Sequence, residues 1–71
     1  MISYKPFLKL LVDRELKKKD VMEMANISKA TVARMNGNEY ISLEVIDKIC
    51  KALQCQPGDL IEYVPDRKEA R

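Results

Sequence analysis

Histidine is absent from this chain, glycine and cysteine occur twice each, and no apolar run exceeds three residues, Leu10, Leu11 and Val12 being one. Without histidine, the histidine-containing zinc patterns and the Cys/His nucleophile pairs are excluded. Two cysteines five apart, Cys50 and Cys55, do not complete a four-ligand zinc site within one chain, so both read as small, reduced packing residues of a cytoplasmic protein. The short apolar runs, with Lys5, Lys9 and Asp13 interrupting the amino terminus, exclude a transmembrane span and a signal peptide. Acids are plentiful, but none stands beside a candidate base or a glycine-rich phosphate loop. The expectation is therefore no catalytic residue, no metal and no cofactor.

What is present is one small domain. With 46% hydrophobic and 34% charged residues, disorder throughout is excluded, and 71 residues leave no room for a second core. A chain of this size buries only ~60% of the surface its unfolded form exposes, so a second copy or a partner would add needed stability. The net charge is +2, unevenly placed: residues 1–19 sum to +4, residues 20–38 to zero, residues 39–66 to −4, and the last five to +2. Such a dipolar chain is compatible with one face meeting an anionic polymer, and equally with ordinary solvated charges.

Ile2, Ser3, Tyr4 and Lys5 alternate like a short strand until Pro6 opens a helix, whose apolar period through Phe7, Leu8, Leu11 and Leu16 predicts that it runs to the Lys17–Lys19 run. Asp20 can cap a second helix that ends at Asn26, and Ser28 a third over 28–36. Asn36, Gly37 and Asn38 form a turn. Ser42 then caps a fourth helix with a predicted apolar stripe of Leu43, Ile46, Ile49, Cys50 and Leu53. Pro57 predicts a one-turn fifth helix over 57–61, and 61–64 a terminal strand. The predicted fold is all-α, five helices with a small two-stranded β element formed by the termini. If those strands pair, Lys5 and Glu62 are placed for a cross-strand ion pair. The domain spans 1–66, with a frayed tail at 67–71.

The informative stretch is Lys18 to Gly37. Val21 and Ala25 can pack against Val32 and Met35 across a tight Asn26, Ile27, Ser28 connection, with Ile27 plugging the turn between two short helices. Lys29, Ala30, Thr31, Ala33 and Arg34 are then left on the outer face of the third helix. A major groove admits one α-helix; small alanines permit close approach, and Lys29 and Arg34 can reach guanine edges or phosphates. Met22, Met24 and Met35 read as core or gap-filling residues rather than a binding surface.

At these residues the chain resembles the helix-turn-helix regulators of the phage repressor and Cro type, in particular their small single-domain bacterial members. Ile41 to Val45, Lys48 to Cys55 and Gly58 to Leu60 look like the later helices of that subgroup. Two departures are Asn26, where the family usually has glycine, and Met22, where many members have alanine. The resemblance implies a sequence-specific, double-stranded DNA-binding transcriptional regulator of the bacterial cytoplasm, acting as a homodimer that blocks or recruits polymerase, with no evident small-molecule effector. It implies that Lys29, Ala30 and Arg34 face base edges, that Thr31 lies near a base or phosphate, and that Lys18, Lys19 and Ser28 lie near the backbone. Asn36 and Asn38 look like loop contacts to the sugar-phosphate chain. A solvated face remains the alternative for the lysine run. The predicted dimer contact is Tyr4, Ile61, Tyr63 and Val64, on the open edge of the terminal strands. A protein-interaction or antitoxin-like module on the same fold is the competing function, favoured by the acidic segment 39–66.

Overall fold

Local signals decide where each helix begins. The computed structural model describes residues 1–65, in the order β1 (Ile2–Ser3), α1 (Lys5–Asp13), α2 (Lys18–Ala25), α3 (Lys29–Asn36), α4 (Leu43–Leu53), a 3₁₀ turn (Pro57–Asp59) and β2 (Glu62–Tyr63). The tail predicted at 67–71 lies outside the described residues. Pro6 sits in the first turn of α1, where a missing amide hydrogen costs nothing. Ser28 Oγ accepts the Thr31 amide at 3.1 Å and Ser42 Oγ that of Val45 at 3.3 Å, capping α3 and α4 as predicted.

Three element boundaries differ from the sequence expectation. The first helix ends at Asp13, short of the lysine run, because Glu15 turns left-handed (φ 56°) and the Leu16 amide reaches back to the Leu11 carbonyl at 2.8 Å. The lysines instead open α2: the Asp20 carboxylate accepts the Lys17 amide at 2.8 Å from three residues further on, so the helix starts earlier than an Asp20 cap would allow. Asp20 also supplies the negative charge that a helix start favours, offsetting the misplaced cations. The predicted fifth helix is only a 3₁₀ turn, closed by Leu60 donating to the Pro57 carbonyl at 2.9 Å and by the Gln56 amide donating to the Asp59 carboxylate at 2.9 Å. The described residues therefore form four α-helices and one 3₁₀ turn.

The core is one cluster. Phe7 and Leu11 of α1, Val21 and Ala25 of α2, Val32 and Met35 of α3, Ile46, Ile49 and Leu53 of α4, together with Tyr4, Ile27 and Leu60, are all buried in it. Full burial of each large side chain is worth about 1.5–3 kcal/mol. α2 lies between α3 and α4, and α1 and α4 both close on the 3₁₀ turn. Leu43, predicted on the stripe of α4, is 79% exposed: it is the first residue after the cap, and the buried face starts one turn later at Ile46.

The termini pair antiparallel, Ile2 opposite Tyr63 and Ser3 opposite Glu62. Lys5 is beyond this ladder and already helical, so the predicted Lys5–Glu62 strand pair is replaced by Ser3 opposite Glu62. Among the described residues, no helix is long and apolar enough to cross a membrane.

Candidate nucleic-acid interface

The connection between α2 and α3 is short because Asn26 accepts a left-handed backbone (φ 56°, ψ 51°). The Ile27 amide then donates to the Met22 carbonyl at 3.1 Å, and Ile27 turns inward to 9% exposure. Asn26 thus supplies the backbone shape for which glycine is usual. Met22 is half-buried against the core, on the same tight turn as Ile27.

α3 has eight residues and is about 12 Å long. Val32 and Met35 are buried and Thr31 is half-buried, which leaves Asn36, Lys29, Ala33, Ala30 and Arg34 exposed. At 3.6 residues per turn these five follow one another across an arc of about 160°. The two alanines lie inside the arc, with Lys29 and Arg34 to either side. No acidic residue occurs from 24 to 38. A cylinder with a low centre and cationic shoulders can approach a polyanion closely, which a lysine or glutamate at position 33 would prevent.

The remaining candidates divide into free and engaged groups. Lys18 and Lys19 are exposed in the first turn of α2. Ser28 is exposed, but its oxygen lies 3.0 Å from Thr31 Oγ1 as well as accepting the Thr31 amide. Those two hydroxyls hold each other in place at the start of α3. Asn38, left-handed at φ 57°, uses its Oδ1 to accept the Tyr4 amide at 3.4 Å, so only its side-chain NH₂ remains for an outside acceptor.

Arg34 and Asn38 share an open recess with Met1, Ile2, Glu39 and Tyr40. Tyr40 is 77% exposed there and was not singled out by sequence. Its signal was a lone aromatic residue two positions after the 36–38 turn, too brief to carry a helical or strand period.

Of the residues predicted for the dimer edge, Tyr4 is not at the surface. Tyr4 is 3% exposed, and its hydroxyl donates to the Glu39 carbonyl at 2.6 Å, so it belongs to the core and not to an outer face. Burial pushes its phenol above the ordinary tyrosine value. Tyr63 is 67% exposed, while Ile61 and Val64 are half-buried. The Val64 amide donates to the Met1 carbonyl at 2.8 Å, and the Met1 amino group donates to the Val64 carbonyl at 2.7 Å. β2 has β1 on one side and no other strand beside it among the described residues. Leu60 is fully buried, so it adds nothing to that edge.

Cys50 and Cys55 are half-buried and free, as packing residues would be. Among the described residues, no three His, Cys, Asp or Glu side chains gather to hold a metal ion.

Comparison with known proteins identifies the family. Residues 7–66 match the Cro/C1-type HTH DNA-binding domain family. An uncharacterised HTH-type transcriptional regulator of Bacillus subtilis (strain 168), YozG, is 37% identical over 59 residues, an alignment spanning 80% of this chain and 70% of the relative. The crystal structure of the transcriptional regulator VanUg (form II) superimposes with a TM-score of 0.87 at 43% identity, covering 92% of this chain and 87% of that one. Its buried α2–turn–α3 unit and its match along nearly the whole sequence place this chain in the Cro/C1-type helix-turn-helix DNA-binding family.

Proposed function

We propose that this protein is a cytoplasmic transcriptional regulator that reads double-stranded DNA with α3 in the major groove and acts without a catalytic step or cofactor. The observation that carries the reading is the exposed arc of α3, free of acids, with Ala30 and Ala33 inside it and Lys29 and Arg34 beside them. In this placement Lys29 and Arg34 meet base edges, Ala30 lies against them, and Thr31 stands at a base or phosphate. Lys18, Lys19, Ser28, Asn36 and the free amide of Asn38 meet the sugar-phosphate backbone, and the exposed Tyr40 joins them at the same edge. Residues 1–66 constitute the domain.

One helix reads too few base pairs to find a unique site. A homodimer supplies two α3 helices about 34 Å apart on one side of a palindrome. Tyr63, with Ile61 and Val64, is the contact we assign to it, using the unpaired side of β2. Occupancy of the operator then blocks or recruits polymerase.

The exposed Leu43 and Tyr63 within the acidic stretch 39–66 favour a second reading, a protein-interaction module on the same fold. Selection of duplexes from a random library, followed by titration of bound and scrambled sequences at several salt concentrations, tests both. The first reading expects an enriched palindrome and a steep salt slope. No enrichment and no salt dependence would reject it for the second.

A further inference from the structure

Three helices of this protein end alike. After α1, α2 and α4 the residues Glu15, Asn26 and Gln54 are left-handed, and the next amide donates to a carbonyl five residues back: Leu16 to Leu11 at 2.8 Å, Ile27 to Met22 at 3.1 Å, and Cys55 to Cys50 at 3.1 Å. This turn brings the two residues side by side, and their side chains ordinarily form an apolar contact that seals the helix end. Leucine with leucine and methionine with isoleucine fill the position in α1 and α2. In α4 it holds two thiols.

The thiols are half-buried and free. Burial, with Cys50 as neighbour, pushes the Cys55 thiol up to about 11, so Cys55 keeps its proton at neutral pH. The surroundings are also braced from outside, since the Arg14 guanidinium donates to the Leu53 carbonyl and ties the end of α1 to the end of α4. A disulfide needs its two Cα atoms about 4.4–6.8 Å apart and its Cβ atoms turned toward each other. The return bond from the Cys55 amide to the Cys50 carbonyl, at 3.1 Å, holds the two backbones together at the helix end, so closing the bridge asks for local side-chain movement and not for unfolding.

We propose that Cys50 and Cys55 are a dithiol modification site that closes to a disulfide at the end of α4 on meeting a small-molecule disulfide. The Cys50 sulfur attacks one sulfur of the reagent, forms a mixed disulfide and releases one small thiol. The Cys55 sulfur then attacks Cys50, breaks the mixed disulfide and releases the second. Both S–H protons end on the two released thiols, whose S–S bond has been reduced by the electron pair the protein thiols give up. The site does not depend on the DNA reading and uses none of the residues assigned to it.

The test is incubation of the native full-length protein with oxidised glutathione, followed by alkylation and intact-mass measurement. The expected product is two hydrogens lighter than the starting protein, takes up no alkylating agent, keeps its helical circular dichroism and reverts with reduced glutathione. Cys55→Ser, shown to be helical, should instead stop at one glutathione adduct, on Cys50. The proposal is overturned if the wild-type protein retains a stable glutathione adduct, cross-links between chains, or loses its thiols only after urea has unfolded it. The wild-type measurement decides the matter even if a variant fails to fold.

Discussion

Replacing Lys19 and Arg34 one at a time by alanine separates backbone attraction from sequence reading on this surface. Both side chains are exposed, so neither change disturbs the core. In the proposed dimer, Lys18 and Lys19 place four charges on phosphates, and with a slope of about −0.9 per neutralised phosphate they contribute about −3.6 to the dependence of log K on log salt. Lys19→Ala removes two of the four and should flatten the slope by about 1.8. Between 50 and 200 mM salt the variant should therefore lose about twelve-fold less affinity than the wild type, equally on cognate and scrambled duplexes. Arg34→Ala removes a base contact worth about 1–3 kcal/mol from each half-site. Cognate affinity should fall while binding to scrambled DNA barely changes, and preference at one base pair of each half-site should relax. Fluorescence anisotropy on labelled cognate, single-substitution and scrambled duplexes across the salt range measures each of these. Equal losses on both duplexes for Arg34→Ala would refute its base contact, and an unchanged slope for Lys19→Ala would return the lysine run to a solvated face.

Ala33→Pro should abolish operator binding, because an interior proline costs about 3 kcal/mol or more and breaks α3; retained affinity in gel shift would show that another element reads the DNA. Tyr4→Phe should lower stability by about 0.5–1.5 kcal/mol through loss of the 2.6 Å bond to the Glu39 carbonyl, as read by urea melts, and leave the sedimentation coefficient unchanged. Tyr63→Glu should do the reverse, giving a folded monomer by sedimentation with weak non-specific binding intact; a dimer insensitive to it would place the contact elsewhere. Stability should fall in alkali. Cys55 (ordinarily 9.0, held at about 11) and Tyr4 (ordinarily 10.0, raised) are both harder to ionise folded than unfolded. The unfolded chain thus releases protons first, and the contribution of Cys55, full below pH 9, is lost as pH rises through about 11. Melting temperatures of the reduced protein and Cys55→Ser from pH 8 to 11 should converge, and parallel curves would remove Cys55 from this account.

The parts legible in the sequence are those decided within a few residues. Ser28 and Ser42 cap because a hydroxyl three residues ahead of a free amide is a local arrangement, and the face of α3 follows from period alone. Glu15 and Gln54 were not legible as helix ends, since neither is a residue that turns left-handed cheaply. There the return hydrogen bond and the packing of Leu16 or Cys55 outweigh a strain of about 1–2 kcal/mol. The lysine run misled for a related reason: a cation at a helix end is a weak preference, and one carboxylate bond from Asp20 to the Lys17 amide overrides it. Tyr4 was misplaced because its partner, Glu39, lies 35 positions away, beyond any local pattern. That misplacement bears on the site itself. Tyr4 donates its amide to Asn38 and its hydroxyl to Glu39, both in the loop after α3, while Ile2 and Ser3 just before it pair with β2. The end of α3 is thus tied through one buried residue to the strand proposed for the dimer contact. In a dimer built on β2 the separation of the two α3 helices is set by a path of backbone and buried hydrogen bonds, which is the rigidity a fixed half-site spacing requires.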